Sequence, residues 1–156
     1  MDTPTTHHPL AIVEYTWNAA ATPWNPPCLA AIYTSDALFF GGRPGQSIGA
    51  AAIQQYFESY NGVIIEGAMQ LVDQQVLEVA PGCQLAQGYV QFKFLLVDGR
   101  RTESRLRTTL LLVESSNTWK IRQHHFSTSP DAPPLGSCAI APSHGDGTSS
   151  RGSKNL

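Results

Sequence analysis

The chain has 156 residues, of which 42% are hydrophobic and 14% are charged, and its formal net charge is −2. This length predicts one domain with a hydrophobic core of its own. A chain without a basic run is not typical of proteins that bind nucleic acid or anionic membranes, and no apolar run approaches the roughly 20 residues of a membrane span. We therefore expect no nucleic acid and no membrane as partners. The low charged fraction favours association of the protein with itself.

The two ends of the chain differ in composition from its middle. Residues 131–156 are rich in Pro, Gly, Ser and Asp, which predicts a disordered tail, and residues 1–8 are interpreted as a flexible N-terminus. The predicted domain is residues 9–130. No basic region followed by an apolar core marks a secretory signal, and the three cysteines lack Cys-x-x-Cys spacing. These features predict a cytoplasmic protein with reduced thiols and no metal site.

The first half of the domain is predicted to be mainly helical. Apolar residues recur at helical spacing after Pro9, and a second short helix is predicted from Pro26 to about Tyr33, capped by Asn25. The apolar run Ala37–Phe40 predicts a brief strand. Ser47 is then expected to cap a third helix over residues 48–60, and the glycine-rich stretch 41–45 is interpreted as a flexible lid.

The second half predicts four long strands separated by turn sequences, of which Asp98-Gly99 is the strongest hairpin signal. The strands are predicted at Val63–Val79, Gln84–Val97, Arg101–Val113 and Thr118–Ser127. Three helices followed by such a meander indicate an α+β fold, in which a curved, mostly antiparallel sheet packs against the helices as a cone that encloses a pocket. The other face of the sheet needs a cover, so we expect a homodimer or a higher homo-oligomer.

The last predicted strand combines apolar and hydrogen-bonding residues. Side chains in a strand alternate between faces, so an inward Ile121 places Gln123, His125 and Ser127 inward as well, with His124 on the outer face. Polar side chains in a core need hydrogen bonds or a cavity, which favours a functional pocket. The alternative is a strand end that emerges into solvent.

Several motifs of this sequence resemble those of the nuclear transport factor 2-like superfamily, also called the SnoaL-like or cystatin-like cone. The resemblance covers residues 9–130. The residues that carry it in the first half are Tyr33-x-x-Asp36-Ala37-x-Phe39 and Ile53-x-x-Tyr56-Phe57. Those at the end are Arg107-Thr108-Thr109, Trp119-Lys120-Ile121 and His125-x-Ser127-x-x-Pro130, which are similar to the calcium/calmodulin kinase II association domain and its stand-alone bacterial relatives.

The resemblance implies a small-molecule pocket whose use varies, because the superfamily includes isomerases, dehydratases, cyclases, metal-free carbonic anhydrases and assembly domains. The chain departs from the kinase hub at Gln91, where the hub has a basic residue. It departs from the carbonic anhydrases at Phe126, where they have a polar residue. An anion would then be held mainly by Arg107.

The candidate catalytic residues are His125, Arg107 and Tyr89. An imidazole suits proton transfer at neutral pH, and the resemblance places Arg107 inward, where it could hold a carboxylate. The alternatives are a core histidine satisfied by a hydrogen bond and an arginine paired with Glu103 or Asp36. The candidate substrate-binding residues are Tyr15, Trp17, Tyr33, Asp36, Tyr56, Gln91, Gln123 and Ser127.

These residues favour a cofactor-free enzyme of the isomerase, dehydratase or cyclase type that acts on a small oxygenated organic compound. Two alternatives remain: an oligomerisation or ligand-sensing domain without catalysis, and a metal-independent carbonic anhydrase. No metal or cofactor is expected, since adjacent histidines on one strand point to opposite faces and cannot share a metal ion.

Overall fold

The computed structural model describes residues 8–138, which form three helices and one six-stranded sheet. The helices are α1 (Pro9–Ala20), α2 (Pro26–Ala30) and α3 (Ala50–Glu58). The strands are β1 (Tyr33–Phe40), β2 (Ser47–Ile48), β3 (Ile64–Ala80), β4 (Cys83–Leu96), β5 (Arg101–Ser115) and β6 (Thr118–Ser127). The strand order is β2-β1-β6-β5-β4-β3, and only β1 and β6 run parallel. The predicted α+β class and mostly antiparallel sheet are confirmed.

Helix starts follow the local sequence signals. Proline occupies the first turn of α1, and the side chain of Asn25 accepts a hydrogen bond from the Cys28 amide at the start of α2. The predicted end of α2 is wrong by three residues, because the helix stops at Ala30 and Tyr33 already pairs with β6.

The predicted start of α3 is also wrong. Ser47 does not cap a helix, because Ser47 and Ile48 form β2 and pair with β1. Gly49 follows with φ of 85°, a backbone conformation that favours glycine, and α3 begins at Ala50. The strand predicted at Ala37–Phe40 begins earlier than expected, at Tyr33, because Tyr33 already pairs with Ile121 of β6.

The sheet has one face covered by helices and one open face. On β4, Val90 and Phe92 are buried under the helices, whereas Tyr89, Gln91 and Lys93 alternate with them on the open face. Helix α1 is fastened across the covered face by a pair of hydrogen bonds between the Asn18 amide and the Met69 backbone, at 2.9 and 2.6 Å. The space between the helices and the covered face is called the cone below.

A β-bulge in β6 reverses the predicted orientation of its last residues. Leu112 pairs with Ile121, but the preceding residue Leu111 pairs with Gln123, so Arg122 is an extra residue in the strand. Ile121 and His124 are therefore both buried, with relative exposures of 0%. The predicted inward position of His125 and the predicted outward position of His124 are wrong, because the bulge shifts the alternation by one residue.

Some predictions concern parts of the chain outside the described residues. Residues 1–7 and 139–156 belong to the predicted flexible N-terminus and the predicted tail, and both lie outside. Residues 128–138 contain no helix or strand, and they are exposed throughout. None of the helices within residues 8–138 combines the length and the hydropathy that crossing a membrane requires.

Candidate ligand site in the cone

The cone contains a cavity of about 240 Å³ between the helices and strands β3 to β6. Among residues 8–138, no charged side chain lines its wall, which is dominated by aromatic rings. The lining residues are Trp17, Trp24, Gly42, Tyr56, Phe57, Tyr60, Val63, Ile64, Phe92, Phe94, Leu96, Ser104, Leu106 and Phe126. A largely apolar cavity with a few hydroxyl groups is the usual form of a small-molecule site.

Trp24 holds the aromatic wall in place. Its indole N–H donates to the Phe57 carbonyl at 3.1 Å, and its ring packs edge-on against Phe57 and Trp17 at centroid distances of 5.8 and 6.2 Å. Edge-to-face packing of this kind is favourable for aromatic pairs. The position of the Trp24 indole is therefore fixed by contacts within the protein.

Two tyrosines and a loop form the mouth of the cavity. The Gly42 amide donates to the Tyr56 hydroxyl at 2.9 Å, and the hydroxyls of Tyr56 and Tyr60 lie 3.4 Å apart. Burial raises the pKa of Tyr56 well above its ordinary value, so this phenol stays protonated. Arg43 ties the same loop to α3, because its guanidinium donates to the Ser59 side chain and carbonyl and stacks over the Tyr60 ring.

A buried imidazole and a buried phenol lie deeper in the cone. The Tyr33 hydroxyl is 2.8 Å from Nδ1 of His124, and the two residues are 2% and 0% exposed. Burial lowers the pKa of His124 to about 3, and the neighbouring His125 adds to this effect. Burial also raises the pKa of Tyr33 well above its ordinary value. The pair is therefore uncharged at neutral pH, and Nε2 of His124 has no hydrogen-bond partner among the described residues.

The predicted catalytic residues lie together, but outside the cone. Tyr89, Arg107, His125 and Ser127 line a polar cleft of about 330 Å³ on the open face of the sheet. Strand register explains their proximity, because Arg107 lies opposite both Tyr89 and Ser127. The structure brings these residues into one cleft, but the predicted placement of Arg107, His125 and Ser127 inside the cone is wrong.

The contacts of these cleft residues differ from the alternatives weighed from sequence. His125 is exposed and packs against the Phe40 ring at 5.3 Å, so it is not a satisfied core histidine. Within residues 8–138, the ion pairs of the arginines are Arg100–Asp98, Arg105–Asp73 and Arg122–Asp36, and none involves Arg107. The guanidinium of Arg105 lies 4.4 Å above the Tyr89 ring.

The predicted substrate-binding residues are divided between the two faces. Trp17 and Tyr56 line the cavity and Tyr33 lies behind it, but Tyr15 is 78% exposed on the outer side of α1, so its predicted place in the cone is wrong. Asp36 is exposed, and its pKa is lowered. The main cause is the hydrogen bond from Thr34, and the charge of Arg122 contributes less.

The remaining amides are on the open face. Gln91 donates to Glu103, and Gln123 is half-buried opposite Leu111. Sequence reasoning missed His124 and Trp24 as residues of the cone. A bulge leaves no signature in the alternation pattern, and Trp24 lies in the short link between α1 and α2, where the composition indicates only a break between helices. Among residues 8–138, no group of three or more His, Cys, Asp or Glu side chains is placed to hold a metal ion.

Solved structures similar to this chain share its fold. One is assigned as a calcium/calmodulin-dependent protein kinase II association domain from Xanthomonas campestris, with 21% identity, a TM-score of 0.71, and coverage of 85% of this chain and 95% of that chain. Another is assigned as a scytalone dehydratase from Novosphingobium aromaticivorans, with 12% identity, a TM-score of 0.68, and coverage of 78% and 83%.

A third similar structure is a hexachlorocyclohexane dehydrochlorinase, with 14% identity, a TM-score of 0.63, and coverage of 87% and 93%. None of the curated proteins matches the chain. The family model for the SnoaL-like domain matches residues 15–132, which is well over half of the sequence. The chain therefore belongs to the SnoaL-like family, whose fold is the cystatin-like cone.

Proposed function

We propose that the cone binds a small oxygenated organic compound and catalyses acid–base chemistry on it without a cofactor, as an isomerase, dehydratase or cyclase does. The observation that carries this proposal is the hydrogen-bonded pair of Tyr33 and His124, whose imidazole packs against Phe126 in the wall of the aromatic cavity. A buried imidazole with one nitrogen held and the other without a partner is a common arrangement at sites of proton chemistry.

The protonation states of the pair define its chemical role. Because Tyr33 keeps its proton, its hydroxyl can donate to Nδ1 of His124, and the imidazole then carries its own proton on Nε2. A neutral imidazole can donate a hydrogen bond to a carbonyl oxygen as negative charge develops there. That step is shared by enolisation, dehydration and cyclisation of carbonyl compounds.

The cavity also limits the size and polarity of the ligand. A cavity of about 150 Å³ lined by apolar side chains is sufficient for benzene. A cavity of about 240 Å³ therefore suits one substituted ring, and the absence of a charged lining residue favours an uncharged compound. Acetophenone is a suitable probe, because it combines a ring, a carbonyl oxygen and exchangeable protons next to the carbonyl.

Deuterium exchange tests this proposal without knowledge of the natural substrate. Acetophenone is incubated with the protein in D₂O, and loss of its methyl proton signal is followed by NMR. We expect the wild-type protein to accelerate exchange, because Nε2 of His124 stabilises the enolate oxygen while solvent deuteroxide removes the methyl proton and D₂O returns a deuteron to the carbon. His124→Gln should lose most of the acceleration, whereas His125→Gln, which alters the open face, should keep it.

Two results would reject the catalytic proposal. One is binding of acetophenone without faster exchange than in buffer, which favours a binding domain without catalysis. The other is exchange that depends on His125 and not on His124. That result assigns the chemistry to the open-face cleft of Tyr89, Arg107 and His125 instead of the cone.

A second function, assembly of the protein with itself, is favoured by the open face. The register places Leu77, Leu85, Leu111 and Leu38 in one row across the sheet, interrupted only by Gln123. Leu77 is 66% exposed and Leu38 is 44% exposed. This leucine row is a partly exposed apolar surface, and the association-domain protein from Xanthomonas campestris shares the fold. We propose a homodimer through the leucine row.

A further inference from the structure

Two buried polar atoms in the cone have no hydrogen-bond partner among residues 8–138. They are Nε2 of His124 and the hydroxyl oxygen of Thr108, in residues that are 0% and 2% exposed. A buried polar group without a partner costs about 1–3 kcal/mol, so such groups are rare unless something outside the protein satisfies them. Two of them on neighbouring strands indicate a shared partner.

Strand register places the two atoms near each other. Thr108 pairs with Phe126 and Leu110 pairs with His124, so Thr108 and His124 are diagonal neighbours on the covered face. Diagonal pairs have Cα atoms about 7–8 Å apart, with the Cβ atoms somewhat closer. One oxygen atom between the two side chains can therefore accept or donate hydrogen bonds at about 3 Å to both.

The two residues continue the wall of the cavity inward. Leu106 and Phe126 line the cavity, and Thr108 and His124 are the next covered-face positions along the same two strands, deeper by about 7 Å. The Phe126 ring packs on His124 at 5.1 Å and on Phe92 at 5.1 Å. Phe126 thus separates the cavity from the polar pair, and a change of its rotamer would join them.

Resting on the function proposed above, we infer that Thr108 and His124 form a subsite for one uncharged oxygen, the carbonyl or hydroxyl group of a ring compound whose apolar part occupies the cavity. The threonine hydroxyl can donate or accept, and Nε2 of the neutral imidazole can donate. No cationic side chain lines the cavity, so a carboxylate would lose its hydration without compensation.

The subsite is tested with two ligands that differ in one group. Acetophenone has a carbonyl group where isopropenylbenzene has a C=CH₂ group of similar shape. Binding of each is measured through the fluorescence of Trp17 and Trp24, which line the cavity. We expect the wild-type protein to bind acetophenone about 2- to 10-fold more tightly, the effect of one net hydrogen bond. Benzoate should bind more weakly than either compound.

Variants of Thr108 connect the preference to the subsite. Thr108→Val removes the hydroxyl at nearly constant volume. We expect this variant to bind acetophenone and isopropenylbenzene with about equal affinity. Thr108→Ser keeps the hydroxyl and should keep the preference, as should Thr109→Val, because Thr109 lies opposite His125 on the open face. A shift of the His124 imidazole ¹⁵N resonance with acetophenone, but not with isopropenylbenzene, gives a second readout that needs no variant.

The outcomes separate the subsite from the proposed catalysis. Equal binding of the two ligands by the wild-type protein, or a preference that persists in Thr108→Val, would overturn the subsite. A water molecule bound permanently between the two residues gives that same result, since neither ligand would then reach them. A clear preference without acceleration of deuterium exchange would retain the subsite and reject the catalysis.

Discussion

The Tyr33 hydroxyl lies 2.8 Å from Nδ1 of His124, and the two residues are 91 positions apart in sequence. Tyr33 begins β1 and His124 is near the end of β6, so the contact joins the two strands that pair in parallel within residues 8–138. The hydrogen bond fixes the orientation of the imidazole, and with it the direction of the free Nε2. The site therefore depends on a contact between the two halves of the domain.

Removing the phenol oxygen tests the structural contribution of this contact. Tyr33→Phe leaves Nδ1 of His124 buried without a partner, so we expect the free energy of unfolding to fall by about 1–3 kcal/mol in urea denaturation. The matched control is Tyr15→Phe, because Tyr15 is 78% exposed and its hydroxyl faces solvent. Equal stability of the two variants would contradict a hydrogen bond that stabilises the cone.

The buried imidazole also predicts how stability changes with pH. Burial lowers the pKa of His124 to about 3, whereas an imidazole in the unfolded chain titrates near 6.5. Between these values the unfolded state binds a proton that the folded state does not. Stability is therefore fully present above about pH 6.5 and is lost as the pH falls toward about 3, at up to roughly 1.4 kcal/mol per pH unit.

Two histidine variants isolate this effect from the titration of carboxylates. His124→Gln should flatten the difference in stability between pH 7 and pH 5, and His125→Gln should leave it as in the wild-type protein. Proton NMR gives an independent measurement, since the His124 ring protons should not shift between pH 8 and pH 5. A ring that titrates normally in this range would refute the burial of His124.

Strand lengths and core faces were predictable from the sequence because they follow repeating patterns. The faces of β4 follow from the alternation of Tyr89, Val90 and Gln91, and the turn at Asp98-Gly99 has the composition that such turns require. The adjacent histidines could not be assigned in the same way, because the bulge at Arg122 is a feature of strand pairing. If the alternation of β6 is continued past Arg122 without the bulge, His124 and His125 are each assigned to the wrong face of the sheet.

The same limit applies to the cavity. Trp24 follows the end of α1, where the composition indicates only a break in the helix, and its place in the aromatic wall depends on packing against Phe57 and Phe94. Contacts between distant parts of the chain leave no local pattern. The residue types of the site were therefore more predictable than the face of the sheet on which each one lies.

We predict that the open-face cleft, which contains Arg107, binds anions in preference to neutral compounds. Arg107 forms no ion pair within residues 8–138, and the residues that line its cleft include no carboxylate. We expect Arg107→Gln to weaken the binding of benzoate at the cleft, as measured by NMR shifts of the His125 ring. The binding of acetophenone in the cone, as measured by the fluorescence of Trp17 and Trp24, should be unchanged. A variant that loses both ligands equally would place them in one site.

Assembly through the leucine row is the last prediction. An apolar row across five strands, exposed at Leu77 and Leu38, is unfavourable in water and is covered when a second copy packs its own row against it. We expect light scattering to report a dimer at micromolar concentration. Leu77→Asp introduces a charge into such an interface and should shift the protein toward a monomer by at least tenfold in Kd, because a buried unpaired charge costs several kcal/mol.

The control for assembly is Leu135→Asp, which adds the same charge away from the sheet. Leu135 is 91% exposed in the segment that follows β6, so the dimer should be unaffected. If the wild-type protein is a monomer at high micromolar concentration, the leucine row does not mediate self-association. If both variants dissociate equally, added charge and not the row is responsible. Loss of the dimer in Leu77→Asp alone would assign the interface to the open face and leave the cone free for its ligand.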